Sequence, residues 1–187
     1  DGSRQLVDKV AAEQPGRVVV ASHPGGANLG MSASRNRGVE VATGDYIAYL
    51  DSDDIWAPEH LENELALLLA HPDARAVCGR AVEWRSWQGE EHLDHRTPVP
   101  FAHGVVVRPA DMLTAILRYG HLTTPICCLL VERDLLVSLG GSDPSFRTMF
   151  EDQVLLAKIY LSTPVVCSAA TTALYRIHDQ SSTALAE

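Results

Sequence analysis

The sequence has no apolar run approaching the roughly 18 residues that a membrane-crossing helix needs, and its first residues are polar rather than leader-like. It has no C-x-x-C spacing. Its four cysteines, Cys78, Cys127, Cys128 and Cys167, lie in apolar stretches, which argues against a disulfide framework or a zinc site and for buried thiols in a reducing cytosol. It has no Lys/Arg-rich run either. With 15 basic residues against 24 acidic ones and a net charge of -9, generic binding to nucleic acid or to an anionic membrane surface is disfavoured. No internal repeat or low-complexity linker divides the chain. What remains is 187 residues, 46% hydrophobic and 21% charged, the composition of one globular domain or most of one.

Periodicity and punctuation suggest an alternating order of elements. "DGSRQLVDKVAAEQPG" reads as a helix with Leu6, Val7, Val10 and Ala11 on one face, Asp1 or Ser3 as its cap and Pro15-Gly16 as its stop. "RVVVASH" reads as a buried strand and "PGGANLG" as a turn-rich loop. "SASRNRGVEVA" reads as a helix with Ser32 at its N-cap and Gly44 at its stop. "DYIAYL" is a strand. "PEHLENELALLLAHP" is the clearest helix, with Pro58 in its first turn and Leu61, Leu65, Leu68 and Leu69 on one side. "RAVCGRAVEW" is the next strand. Strands alternating with helices predict an α/β domain with a mainly parallel sheet, whose ligands bind beyond the carboxyl ends of the strands. A polar stretch then runs to Phe101. A helix near "PADMLTAILRYG", a strand "ICCLLVE", a short helix near "RDLLVSLG", a helix "EDQVLLAKIYL" and two short strands, "PVVCS" and "TALYRI", follow.

The strand "DYIAYL" runs directly into Asp51-Ser52-Asp53-Asp54. Carboxylates this close oppose one another's ionisation unless a cation, a cluster of donors or open water relieves them. A solvated turn capping the next helix is one reading. The other is a hard divalent cation, which takes oxygen ligands from alternate carboxylates held at a rigid strand end and can in turn bind phosphate oxygens.

The run "NLGMSASRNRGVEVATGDYIAYLDSDD" resembles the family-2 glycosyltransferases of the GT-A fold, with their Asn-x-Gly-x-Ser-x-x-Arg-Asn-x-Gly segment, Thr-Gly-acid turn, strand and D-x-D signature. The likeness continues in "LLVSLGGSDPSFRTMFEDQVLLAKIYL", with its glycine pair and its acidic pair opening a helix, and in the closing "YRIHDQSS". It departs at "GGSDPSF", where the family usually carries an aromatic after the glycines. The resemblance implies an α/β GT-A fold, Rossmann-like, with helices on both faces of its sheet. It treats residues 1–187 as a single domain, with a nucleotide-binding part over about 1–84 and an acceptor-side part over about 85–187. The family's opening strand, helix and second strand would precede Asp1, so that the chain is read as an N-terminally truncated fragment whose own activity is open.

The implied activity is that of a metal-dependent, inverting transferase moving a sugar from a nucleotide-diphosphate sugar, with a uridine diphosphate sugar favoured, to a hydroxyl acceptor. The acceptor could be a glycan, a lipid or a small molecule. No nucleic-acid partner and no membrane segment are expected in this chain, and the compartment is read as the cytoplasm, the inner face of the membrane included. Carried over residue by residue, the donor site comprises Asp1, Asn28, Arg35, Asp51, Ser52 and Asp53. Asp51 faces ribose or base, and Asp1 contacts the base. Asp53 ligates Mg²⁺ or Mn²⁺ on the diphosphate, with His178 as a further ligand, and Asp152 is the general base. Without the resemblance, Arg35 reads equally as a surface ion-pair residue, and His178 as a satisfied polar residue near a strand end. Two rival functions stay open: a GT-A-like module that binds nucleotide or glycan without turnover, and a sugar nucleotidyltransferase.

Overall fold

Successive residues of a strand point to opposite faces of its sheet, and in this chain both faces are buried. The computed structural model describes residues 2–119, 124–147 and 149–179. In chain order its elements are α1 (Ser3–Glu13), α2 (Met31–Val41), β1 (Tyr46–Ala48), β2 (Ile55–Trp56), α3 (His60–Leu69), β3 (Ala76–Cys78), β4 (Val82–Trp84), β5 (His95–Arg96), β6 (Val106–Val107), α4 (Asp111–Tyr119), β7 (Leu129–Glu132), α5 (Arg133–Ser138), α6 (Glu151–Ser162), β8 (Val165–Cys167) and β9 (Ala173–Arg176). Five strands form the main sheet in the order β1-β7-β3-β8-β6. Ile47, Ala76, Cys78, Leu129, Val131, Val165 and Cys167 supply one face, packed with Val39 of α2, Met112 of α4, Leu135 and Leu136 of α5, and Leu155, Leu156, Ile159 and Tyr160 of α6. Val77, Leu130 and Val166 supply the other, covered by Leu68 of α3. Helices therefore lie on both faces, as expected of this α/β class.

The mainly parallel sheet is corrected. Of the four pairings in the main sheet, only β3 with β8 is parallel, while β1–β7, β3–β7 and β6–β8 are antiparallel. The helical crossover does make β1 and β3 run the same way, but β7, from the second half of the chain, inserts between them in the opposite sense. The expected strand over 75–84 divides at Gly79 and Arg80. Its second half, β4, joins a smaller sheet of order β2-β9-β4-β5. Ala81, Cys127, Cys128 and Ala173 are buried together, with Trp56 and Tyr175 packed on them. All four cysteines are buried and free.

Further expectations change for local reasons. Residues 17–23 form no strand and pair in neither sheet, and Val19 is 65% exposed rather than buried. α1 buries none of its residues, and Leu6, Val7 and Val10 face outward; Gly2 stands at its cap, Ser3 is already helical, and Asp1 lies outside the described residues. Gly30, not Ser32, is the N-cap of α2, which closes at Ala42 before Gly44 is reached. Pro58 precedes α3, whose N-cap is Glu59. The inward stripe of α3 is His60, Glu64 and Leu68, while Leu61 and Leu69 are exposed.

That stripe carries a buried acid. Glu64 Oε1 accepts the Ser168 hydroxyl at 2.8 Å, and burial, only partly offset by this bond, pushes its pKa up from 4.5 to about 6. A raised folded-state value means that the stabilisation is complete below the unfolded value and is lost as pH rises through the folded one. The Glu64→Gln variant removes that titration. Denaturant unfolding of both proteins at pH 4.5 and pH 7.5 should find the variant gaining about 2 kcal/mol on wild type over this range; a constant difference would show that Glu64 titrates normally.

Candidate active site

β1, β3 and β8 share one direction, so their carboxyl ends meet at one side of the sheet, and the acidic cluster follows β1 there. Asp54 N–H donates to Asp51 O at 3.1 Å, folding the four residues into a turn. The turn sorts its carboxylates. Asp54 points inward, where its Oδ1 accepts the Arg176 N–H at 3.0 Å and ties the turn to β9. The Cys127 thiol lies beside it, and burial raises the Asp54 pKa to about 6. Asp51 and Asp53 remain partly exposed, and Ser52 is exposed between them.

Arg35 is the next layer. It projects from α2 between two carboxylates: Nη1 donates to Glu151 Oε1 at 2.7 Å, and Nη2 lies 3.2 Å from both oxygens of Asp51. Its side chain is only 9% exposed and that of Glu151 only 5%, so Arg35 belongs to an ion triad buried at Glu151 and open to water at Asp51, rather than to a surface pair. Burial alone would lower its pKa, but Asp51 and Glu151 more than offset that and hold the guanidinium charged. The guanidinium also lies 5.9 Å from the centre of the Tyr49 ring.

The same helix fastens the loop that leads into α6. Asn36 donates through Nδ2 to Ser142 O and accepts the Ser142 N–H at Oδ1, both at 2.8 Å. Gly141 is required beside it: its φ is +62°, and a Cβ there would stand 2.4 Å from Asn36 Oδ1. Ser32 donates its hydroxyl proton to Phe146 O at 2.6 Å, and Met31 N–H donates to Arg147 O at 3.3 Å. Gly30, with φ +91°, leaves room for Arg147, whose carbonyl oxygen a Cβ would approach to 2.9 Å. Asn28 Oδ1 accepts the Gly30 N–H at 3.0 Å, and Asn28 O accepts from Arg147 Nη2 at 3.2 Å. Asn28 therefore shapes this loop.

Glu151, Leu155 and Ile159 form one buried row along α6. Asp152, about 100° further round, escapes that row. Its Oδ1 accepts the Gln153 N–H at 2.7 Å, and burial raises its pKa above the ordinary 3.8. On the other side of the turn, His178 Nε2 lies 3.0 Å from Asp53 Oδ2. The pair offers one imidazole nitrogen and one carboxylate oxygen, donor types that a divalent ion such as Mn²⁺ accepts. Among the described residues no group of three or more His, Cys, Asp or Glu side chains could hold a metal, so such an ion would need further ligands from outside the protein. A cleft of about 800 Å³ lies elsewhere, between residues 22–26, α2 and Pro144; its one acid is Glu40 of α2, and none of the acids of the turn or of α6 lines it.

The structure thus joins Arg35, Asp51 and Glu151 in one contact set and Asp53 and His178 in another, linked through the turn, with Asp152 beside Glu151. The i, i+4 spacing of Glu151 with Leu155 could have marked Glu151 as the inward acid.

Comparison with known proteins identifies the family and the fold. The family model described as "Glycosyl transferase family 2" matches residues 1–135. An uncharacterized glycosyltransferase of Escherichia coli strain K12, YibD, is 49% identical over 162 residues, covering 82% of this chain and 46% of that protein. The amylovoran biosynthesis glycosyltransferase AmsE of Erwinia amylovora is 30% identical over 114 residues, 61% of this chain and 38% of its own length. The chain therefore spans about half or less of these relatives. The crystal structure of S. aureus TarS superposes with a TM-score of 0.67 over 96% of this chain and 30% of the TarS chain, at 17% identity, a likeness of fold. No helix among the described residues is long and apolar enough to cross a membrane.

Removing the cation of the triad leaves a buried carboxylate unpaired. Arg35→Met keeps most of the apolar stem, yet should cost about 3–5 kcal/mol in urea unfolding, and Glu151→Leu added to it should return part of the loss. Equal stability of Arg35→Met and wild type would mean that the triad does not hold in solution.

Proposed function

This chain belongs to glycosyl transferase family 2, and from that premise we propose that it carries the donor and catalytic groups of a metal-dependent, inverting glycosyltransferase. The donor is a nucleotide-diphosphate sugar, with a uridine diphosphate sugar favoured, and the acceptor is a hydroxyl compound. One observation supports the reading above others. Arg35 pairs with Asp51 and Glu151, while among the described residues neither Asp53 nor Asp152 has a Lys or Arg partner at ion-pair distance.

Asp53 and His178 would hold the Mg²⁺ or Mn²⁺ ion. When bound, the ion supplies Lewis-acid relief of the charge that gathers on the diphosphate. Asp51, fixed by Arg35, meets the ribose or base, and Ser52 offers a hydroxyl at the tip of the turn. Asn28 and Gly30 shape a loop whose backbone approaches the nucleotide; Asp1 belongs to the same reading but lies outside the described residues.

Asp152 takes the proton of the acceptor hydroxyl as its oxygen attacks the anomeric carbon. The bond from that carbon to the diphosphate oxygen breaks, the nucleoside diphosphate leaves with the electron pair, and the configuration inverts. A helix start favours the ionised carboxylate, whereas burial raises its basicity, and a base needs both.

In the full-length protein, Asp152→Asn should lower the transfer rate by about 10² to 10⁴ with folding intact. The wild-type rate should fall off at acid pH around a value above the ordinary 3.8 of aspartate. Asp53→Asn should abolish Mn²⁺-dependent transfer while leaving the fold intact, because an amide keeps the shape but not the charge that a hard cation selects. Transfer by Asp152→Asn within a few-fold of wild type removes that residue from the mechanism, and absence of both transfer and donor hydrolysis in wild type, across a panel of nucleotide sugars, favours a binding module instead.

A further inference from the structure

Trp87 is a partly exposed indole that several contacts hold in one orientation. It is 39% exposed, and it sits in a short 3-10 turn, Ser86–Gln88, at the tip of the hairpin formed by β4 and β5. The turn is clamped from across the hairpin by one carboxylate. Asp94 Oδ1 accepts the N–H groups of Arg85 and Ser86, each at 2.8 Å, and Oδ2 accepts the Ser86 hydroxyl at 2.9 Å. The indole is fixed again at its far end, where Nε1–H donates to Ile177 O at 3.0 Å. The Arg176 guanidinium stands 5.1 Å from the Trp87 ring centre and 4.7 Å from that of Trp84, a cation–π arrangement that holds the plane of the ring.

The location makes this rigidity informative. Trp87 lies edge-on to His178, with ring centres 6.5 Å apart and planes at 80°, and His178 contacts Asp53. One contact therefore separates an exposed, pre-set indole from the turn that bears the acidic cluster. Rings immobilised before a ligand arrives bind at low entropic cost, and a flat apolar surface with polar groups at its edge suits a pyranose, whose C–H face is apolar and whose rim is hydroxylated.

We propose that Trp87 is the platform on which a sugar ring stacks beside the Asp53–His178 pair, and that Asp94 positions it. The inference rests on the glycosyltransferase reading above and adds the group that recognises sugar as distinct from nucleotide. The ring belongs either to the donor or to a saccharide acceptor, and two arms separate these sources.

The full-length protein with Mn²⁺ is titrated calorimetrically with uridine diphosphate and with uridine diphosphate glucose, galactose and N-acetylglucosamine. Donor hydrolysis and transfer to saccharide acceptors are then measured as initial rates. If the stacked ring is the donor's, Trp87→Ala weakens the sugar nucleotides by roughly tenfold while uridine diphosphate alone binds as in wild type. If it is the acceptor's, the KM for saccharide rises by a similar factor with donor hydrolysis unchanged. In either arm Trp87→Phe recovers most of the loss, and Asp94→Ala, which leaves the indole in place but frees its turn, falls between. Equal loss for uridine diphosphate and its sugars overturns the proposal, because it marks a nucleotide-binding or purely structural tryptophan; so does no change in either arm. A wild-type protein that binds none of these ligands defeats the uridine diphosphate sugar donor reading and this inference together, whereas wild-type binding with an unaffected Trp87→Ala defeats this inference alone.

Discussion

A single guanidinium decides whether this site exists. Arg35 lies between Asp51, at the end of β1, and Glu151, at the start of α6. Two carboxylates in a shielded environment would repel each other or take up protons. With Arg35 between them, the strand end and the helix start can share one side of the sheet. The bidentate-capable, permanently charged side chain suits this post better than lysine, whose point charge cannot engage two carboxylates in fixed directions. Because the pair is satisfied, the adjacent acids, Asp53 and Asp152, are left with partners that a ligand could displace or join.

The fold supplies the rigidity that this arrangement needs. β1 lies at the edge of the main sheet, but Ile47 is in the core on one face and Tyr46 and Ala48 pack against the core on the other, so the end of β1 cannot shift without disturbing packing on both sides of the sheet. α2 holds the approach to α6 through Asn36, Ser32 and the backbone around Gly30. Asp54, turned inward, binds the turn to the second sheet, and through β9 that sheet brings His178 to Asp53. The β4–β5 hairpin of the same sheet then presents Trp87. Arg35 and Glu151 are thus placed by helices whose inner faces pack on the core, while Asp53 and His178 are held by the turn and the strand end that Asp54 joins.

Much of this could be read from the sequence, and what could not follows a pattern. Helices α2, α3, α4 and α6 and strand β1 were legible because apolar spacing and punctuation are local signals. The D-x-D turn and the acidic pair opening α6 were legible as parts of one motif run. The two-residue strands β2, β5 and β6 are too short to show any period. The antiparallel insertion of β7 depends on pairing between distant segments. Residues 17–23 have the composition of a buried strand but find no ladder among the described residues. The partner of Arg35 lies 116 residues away, beyond any local pattern, so its role as the centre of an ion triad appears only in three dimensions. The inward stripe of His60 and Glu64 defeated the expectation of a leucine face because these polar groups find Thr172 and Ser168 as partners inside.

The central claim is that the turn after β1, completed by His178, is a cation-assisted nucleoside diphosphate site. Its most direct measurement is the calorimetric affinity of the full-length protein for uridine diphosphate in Mn²⁺ and again in EDTA, paired with the Mn²⁺ affinity with and without the nucleotide. Linkage requires the two effects to be equal. The account predicts that each ligand strengthens the other by the same factor, roughly 5- to 150-fold; a uridine diphosphate affinity that is the same in EDTA as in Mn²⁺ would contradict it.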